Sequence, residues 1–121
     1  MKGIGINAVE VDRFRTVLRR TPGVATRLFT DGERAAGARR RDPSQRLAAR
    51  FAAKEAVMKA LGVGLGAFAF HDVEVVNAAN GKPELVLRGK AAALAASQGV
   101  ARWQLSITHT DQTAQAVAVA L

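Results

Sequence analysis

The chain has 121 residues, 49% of them hydrophobic and none of them cysteine, which suits one compact domain over residues 1–121 and excludes intrinsic disorder, disulfides, thiolate catalysis and cysteine zinc sites. Eighteen Lys and Arg against ten Asp and Glu give a formal net charge of +8, which favours phosphorylated or acidic partners, while 5% aromatic residues and no tyrosine argue against nucleic-acid binding by base stacking. No apolar run approaches the roughly 20 residues that span a bilayer, and Met1-Lys2-Gly3-Ile4 lacks a signal-peptide layout, so a cytoplasmic setting away from membranes is expected.

Residues 2–9 alternate as a strand, with Ile4, Ile6 and Ala8 on one face and Gly3, Gly5 and Asn7 on the other. The glycines leave that second face bare, so a ligand or another backbone can come close, and Asn7 projects from the same side. A helix is expected over residues 10–20, with Phe14, Val17 and Leu18 as its buried stripe and Thr21-Pro22-Gly23 as its end. Thr30-Asp31-Gly32-Glu33 has capping-box spacing and should open a short helix. Residues 37–43, containing Arg39, Arg40 and Arg41, read as a mobile basic loop, and Ser44 as a cap for the helix beyond it.

Residues 46–61 carry alanines and apolar side chains at helical spacing, and Gly62, Gly64 and Gly66 end that helix. At roughly 100° per residue, Arg46, Arg50 and Lys54 form one basic stripe. Glu55 lies roughly opposite, among Ala48, Phe51, Ala52 and Met58, with Lys59 one turn further on. A carboxylate so placed needs a cation, a donor or a metal, because uncompensated burial of charge is expensive. Two readings of Glu55 stand at this point. It is either a group for chemistry, or half of an ordinary surface ion pair with Lys59 contributing roughly 0.2–0.5 kcal/mol.

From residue 72 the period changes to two. Residues 72–77 and 84–88 read as strands joined through the Asn80-Gly81 turn, residues 90–98 as a short helix stopped by Gly99, and residues 102–108 and 113–120 as a second strand pair. The fold class is α+β, with helices mostly early and an antiparallel sheet mostly late.

Three segments carry a resemblance when taken together: Gly3-Ile4-Gly5-Ile6-Asn7-Ala8-Val9-Glu10, then Arg50-Phe51-Ala52-Ala53-Lys54-Glu55-Ala56-Val57-Met58-Lys59-Ala60, then Ser106-Ile107-Thr108-His109-Thr110, with Gly81-Lys82-Pro83 between the last two. In order, spacing and total length the chain resembles the holo-acyl-carrier-protein synthases. The resemblance implies the 4′-phosphopantetheinyl transferase fold, an antiparallel sheet packed on one long and several short helices. It implies an enzyme that moves the 4′-phosphopantetheine group of coenzyme A onto a serine of an apo acyl carrier protein, releasing adenosine 3′,5′-bisphosphate, with Mg²⁺ as cofactor. It also implies a homotrimer with active sites between subunits, an acidic carrier protein as partner, and service in fatty-acid or polyketide synthesis.

On the residues, the resemblance implies Glu55 and Lys59 as catalytic groups and Asn7 and Glu55 as metal ligands. It places Arg50, Lys54, Lys59, Gly81, Lys82, Pro83 and His109 on the coenzyme. Metal-bound water, Glu10 and Glu55 are the candidates for taking the serine proton. The basic segments 13–20 and 39–46 suit docking of an acidic partner. One position departs from the pattern, since the family ordinarily has a metal-binding aspartate where this chain has Asn7. Asparagine keeps an oxygen ligand but removes a negative charge, which should weaken the binding of a hard cation. A working enzyme is the expectation, and a catalytically impaired trimer that binds carrier protein is the alternative.

Overall fold

Two glycines decide how the molecule is assembled. The computed structural model describes residues 1–121. Its elements run β1 (Gly3–Glu10), α1 (Val11–Arg20), α2 (Val24–Leu28), α3 (Asp31–Ala38), α4 (Ser44–Ala60), β2 (Val73–Asn77), β3 (Pro83–Leu87), α5 (Gly89–Ser97), β4 (Trp103–His109) and β5 (Thr113–Ala120). A Cβ at Gly3 would sit 2.0 Å from the Ala60 carbonyl oxygen, and one at Gly5 would sit 2.0 Å from that of Ala56. The backbone of α4 therefore rests directly on β1. Alanines continue the close fit, with Ala52, Ala53 and Ala56 of the helix and Ala114, Ala116 and Ala118 of β5 all buried.

The strands form two antiparallel sheets rather than one. The larger has the order β1-β5-β4, with Gly3 opposite Ala120 and Trp103 opposite the same residue on the other side. The smaller pairs β2 with β3, Val73 opposite Leu87. The expected α+β class stands, and the first strand of the chain becomes an edge beside the last. Val57, Met58, Leu61, Phe68, Val73 and Val75 fill one side of the core; Val11, Phe14, Leu28, Phe29 and Leu47 fill the other. No helix is long and apolar enough to cross a membrane.

Several local expectations need correction. Val17 is 41% exposed, and the buried stripe of α1 runs through Val11 and Phe14 to the half-buried Leu18 instead. The chain enters the helix straight from β1, so Val11 is carried into the core by the strand. Ser44 does not cap α4; it is the first helical residue, and its N–H donates to Asp42 Oδ1 at 3.0 Å. A carboxylate two residues ahead is the stronger acceptor. The capping box stands, with Glu33 N donating to Thr30 Oγ1 at 3.2 Å and Thr30 N donating to Glu33 Oε1 at 3.0 Å. Gly62, at φ +71°, ends α4 as expected, and Val63 N reaches back to Met58 O at 3.0 Å. Residues 24–28 form a helix that was not expected, because five residues are too few to display a period.

Candidate active site

Asn7 lies one step beyond Gly5 on the face of β1 that touches α4. Its side chain therefore lands on the helix between Glu55 and Lys59. Nδ2 donates to Glu55 Oε1 at 3.0 Å, and Oδ1 accepts from Lys59 Nζ at 3.1 Å. Lys59 Nζ also donates to the Ile6 carbonyl at 2.9 Å. Glu55 and Lys59 are thus joined through Asn7 and make no direct ion pair, which removes the plain surface-pair reading. An ammonium has three N–H donors, and these contacts use two. Lys59 is exposed, so the third is free to meet an anion.

A second group gathers around a cavity of about 250 Å³, lined by Arg40, Arg46, Arg50, Gly81, Pro83 and His109 among others. Arg50 is only 6% exposed, yet no carboxylate pairs with it and its Nε has no hydrogen-bond partner. Burial, and next the charge of Arg46, push its pKa down to about 10. Burial also lowers Arg46, with Arg40 and Arg39 adding to it. Asp42 is the one acidic side chain on this cavity, and it is already engaged by Arg15 at 3.0 Å and by the Ser44 N–H. The arginines are left with positive charge in excess, which an anionic ligand would relieve. His109 ends β4 at the rim, and Gly81, at φ +85°, turns the β2–β3 hairpin toward it. Lys82 does not line this cavity; its Nζ turns toward Gln104 Oε1 at 3.4 Å.

Lys54 requires the largest correction. It does not share an open stripe with Arg46 and Arg50, and it is 0% exposed. Its ammonium donates to Phe70 O at 2.9 Å, to Val73 O, and to Glu33 Oε1 at 2.9 Å, so all three donors are used. Glu33 completes the arrangement by accepting from Val75 N at 2.9 Å through Oε2. Desolvation lowers the Lys54 pKa and Glu33 opposes the shift. The side that α4 turns toward β2 is covered, so a charge there finds a partner inside the protein. Lys54 is a core cation here and has no donor left for a ligand.

The two groups look in different directions. Nine residues separate Arg46 from Glu55, and nine separate Arg50 from Lys59, which is about two and a half helical turns. Each pair therefore lies on opposite sides of α4, and none of Asn7, Glu55 or Lys59 lines the arginine cavity. On a third surface, Arg13 borders a shallow groove with Val9, Phe14, Val17 and Phe51.

The family profile for the 4′-phosphopantetheinyl transferase superfamily matches residues 3–120. A holo-[acyl-carrier-protein] synthase of Frankia alni is 52% identical over 118 residues, covering 98% of this chain and 95% of the relative. The chain belongs to the holo-[acyl-carrier-protein] synthase family of 4′-phosphopantetheinyl transferases. Solved structures agree with this assignment. The crystal structure of the holo-[acyl-carrier-protein] synthase from Neisseria meningitidis superposes with a TM-score of 0.89 at 33% identity, covering 100% of this chain and 98% of that one. The Helicobacter pylori synthase, solved in complex with coenzyme A, superposes with a TM-score of 0.83 at 28% identity, covering 98% of this chain and 99% of that one.

As a transferase of this family, the chain brings Asn7, Glu55 and Lys59 into one cluster and Arg50, Gly81, Pro83 and His109 onto one cavity. It sets Lys54 and Lys82 apart from both. Sequence reasoning missed Arg40 and Arg46 as cavity residues. The spacing of Arg46 and Arg50, one turn apart, was the available signal, whereas Arg40 sat in a loop run that resembled plain solvated charge.

Proposed function

We propose that the chain transfers the 4′-phosphopantetheine group of coenzyme A to a serine of an acidic apo acyl carrier protein in a Mg²⁺-dependent reaction. The observation that carries this reading is Arg50, a buried guanidinium with no carboxylate partner facing a cavity shared with Arg46, Arg40 and His109. An unpaired guanidinium so placed suits a phosphate, by its charge and by the fork of donors a guanidinium carries. The 3′-phosphate end of the coenzyme suits it, and Gly81 and Pro83 would lie along the adenosine.

Lys59, held by Ile6 and Asn7, offers its remaining N–H to the pyrophosphate. Transfer forms a bond between the serine Oγ and the β-phosphorus and breaks the bond to the departing adenosine 3′,5′-bisphosphate. The serine proton passes to a nearby base, for which Glu55, with acceptor capacity beyond its one bond to Asn7, is suited. The carboxylate of Glu55 and the amide oxygen of Asn7 are hard oxygen donors and fit Mg²⁺, which commonly takes one or two carboxylates and completes its shell with phosphate oxygens and water. A bound Mg²⁺ would supply neutralisation of the charge that develops on the pyrophosphate.

The opposed directions of the two groups support active sites shared between subunits. Ile4 and Ile6 are 56% and 60% exposed, and they lie opposite Val119 and Val117 on the outer face of the larger sheet. An apolar sheet face of this kind favours self-association, and a homotrimer is the assembly we propose. There, the arginine cavity of one subunit would face the Asn7–Glu55–Lys59 cluster of the next. Arg13 and the groove beside it are the proposed dock for the carrier protein, whether of fatty-acid or polyketide synthesis, in the cytoplasm. A catalytically impaired trimer that binds carrier protein is a second reading, favoured by Asn7, whose amide is already engaged at both ends.

Intact mass spectrometry of an apo carrier protein incubated with the chain, coenzyme A and Mg²⁺ separates the two. A gain of the phosphopantetheine mass, lost with chelator or with Glu55→Gln, supports transfer. Retained binding without any mass gain supports the second reading.

A further inference from the structure

The orientation of the Asn7 amide is dictated by its neighbours. Turned over, it would set Nδ2 against the Lys59 ammonium, donor to donor, and Oδ1 against the Glu55 carboxylate, acceptor to acceptor. The observed arrangement satisfies both ends. It also leaves the cluster formally neutral, with one carboxylate, one ammonium and one amide. No group of three or more His, Cys, Asp or Glu side chains that could hold a metal ion is formed anywhere in the chain.

A divalent cation arriving alone would thus meet no net negative charge. One of its two protein oxygens already accepts from an ammonium, and the carboxylate already accepts from the amide. Cation affinity at oxygen sites depends on the number of charged ligands and on how freely they can turn to the ion. The coenzyme's pyrophosphate alters both conditions. It would bring negative charge, offer further oxygens and take the remaining N–H of Lys59, loosening that ammonium's hold on Asn7 Oδ1.

We propose that Asn7 makes divalent-cation binding conditional on the coenzyme, so that the cation enters with the pyrophosphate and never ahead of it. This rests on the reading of the cluster as the pyrophosphate site, and it names the residue that sets the order of binding.

The test uses Mn²⁺ as probe, with bound and free ion distinguished by electron paramagnetic resonance. Coenzyme binding is measured separately by calorimetry without metal, and Mn²⁺ with coenzyme alone is the control. The parent protein is expected to take up Mn²⁺ at least tenfold more tightly with coenzyme present than without it, beyond the control. Asn7→Asp, which gives the cluster a net negative charge, is expected to bind Mn²⁺ without coenzyme at least tenfold more tightly than the parent. Equal Mn²⁺ affinity of the parent with and without coenzyme overturns the proposed order while leaving the pyrophosphate site intact. Absence of coenzyme binding overturns the functional reading and the order with it. Comparing the parent in its two states tests the order by itself, and an Asn7→Asp variant that folds yet binds Mn²⁺ without coenzyme no more tightly than the parent overturns the assignment to Asn7.

Discussion

Gly5 faces the carbonyl oxygen of Ala56 with no room for a methyl group, since a Cβ there would lie 2.0 Å from that oxygen and 2.7 Å from Ala60 N. Both obstacles are backbone, so no side chain can swing aside. Gly5→Ala should cost about 1–3 kcal/mol or more, because β1 and α4 have to separate. The separation would also carry Asn7 away from Glu55. Urea unfolding and the transferase assay should therefore fall together, and a variant with parental stability would show that the strand can shift without loss.

Lys54 and Glu33 are both fully buried, and each is the other's only charge partner within ion-pair distance. Removing one leaves the other uncompensated, so Lys54→Met should destabilise by about 3–5 kcal/mol. Adding Glu33→Gln removes the stranded charge, and the pair should show a favourable coupling of about 1–3 kcal/mol in a double-mutant cycle. Strictly additive losses would mean that the two side chains stabilise the protein independently.

Arg50 is expected to act on coenzyme affinity rather than on turnover. A hydrogen bond to a charged group contributes about 1.5–3 kcal/mol. Arg50→Met should then raise the KM for coenzyme A by roughly tenfold to a hundredfold, with a smaller change in kcat. A loss confined to kcat would move Arg50 from the binding of the 3′-phosphate to the reacting centre.

Glu74 gives the protein an acid-labile joint. The Thr30 hydroxyl donates to its Oε2 at 2.6 Å and does most to hold its pKa below the ordinary 4.5; burial opposes the shift, and Arg88 at 2.9 Å adds to it. The folded value lies below the unfolded one, so the unfolded chain binds more protons between them. The stabilisation is present above 4.5 and is lost as the pH falls through the depressed folded value. Glu74→Gln should flatten the acid limb of the stability curve, as read from urea midpoints taken from neutral pH downward. An unchanged limb would assign the acid sensitivity elsewhere.

Ile6 belongs to the exposed sheet face and lies outside the arginine cavity, and the contact it gives Lys59 comes from its backbone carbonyl, which a side-chain substitution retains. Ile6→Glu should convert the proposed trimer to monomers in size-exclusion chromatography with light scattering, and transfer should fall with it. Full activity in a monomer would show that one chain suffices.

The alternation of β1, the capping box at Thr30 and the change of period after residue 72 are all local patterns, and the sequence displays them directly. Which face of β1 turns inward is not local. Isoleucine would ordinarily go inward and glycine outward, and here the order is reversed because α4 packs backbone against backbone. Asn7 and Glu55 could each be singled out by type and position. Their meeting depends on how strand and helix pack across 48 residues of chain. Lys54 was misjudged because helical periodicity supplies an angle without saying what stands at that angle. Its partner Glu33 was read as a capping residue, and nothing in a capping box shows that the carboxylate also serves a buried lysine and the Val75 N–H.

Arg50 and Glu55 look out from opposite sides of one helix, so in the proposed ring each chain would serve two active sites and complete neither. Two defective variants, one weak in binding coenzyme and one lacking the reacting carboxylate, would then be able to rescue each other at limiting coenzyme. An assembly mixing Arg50→Met chains with Glu55→Gln chains would contain some junctions that join the intact cavity of one to the intact cluster of the other. Inheritance of such defects would follow the pairing of neighbours around the ring rather than the fraction of sound chains.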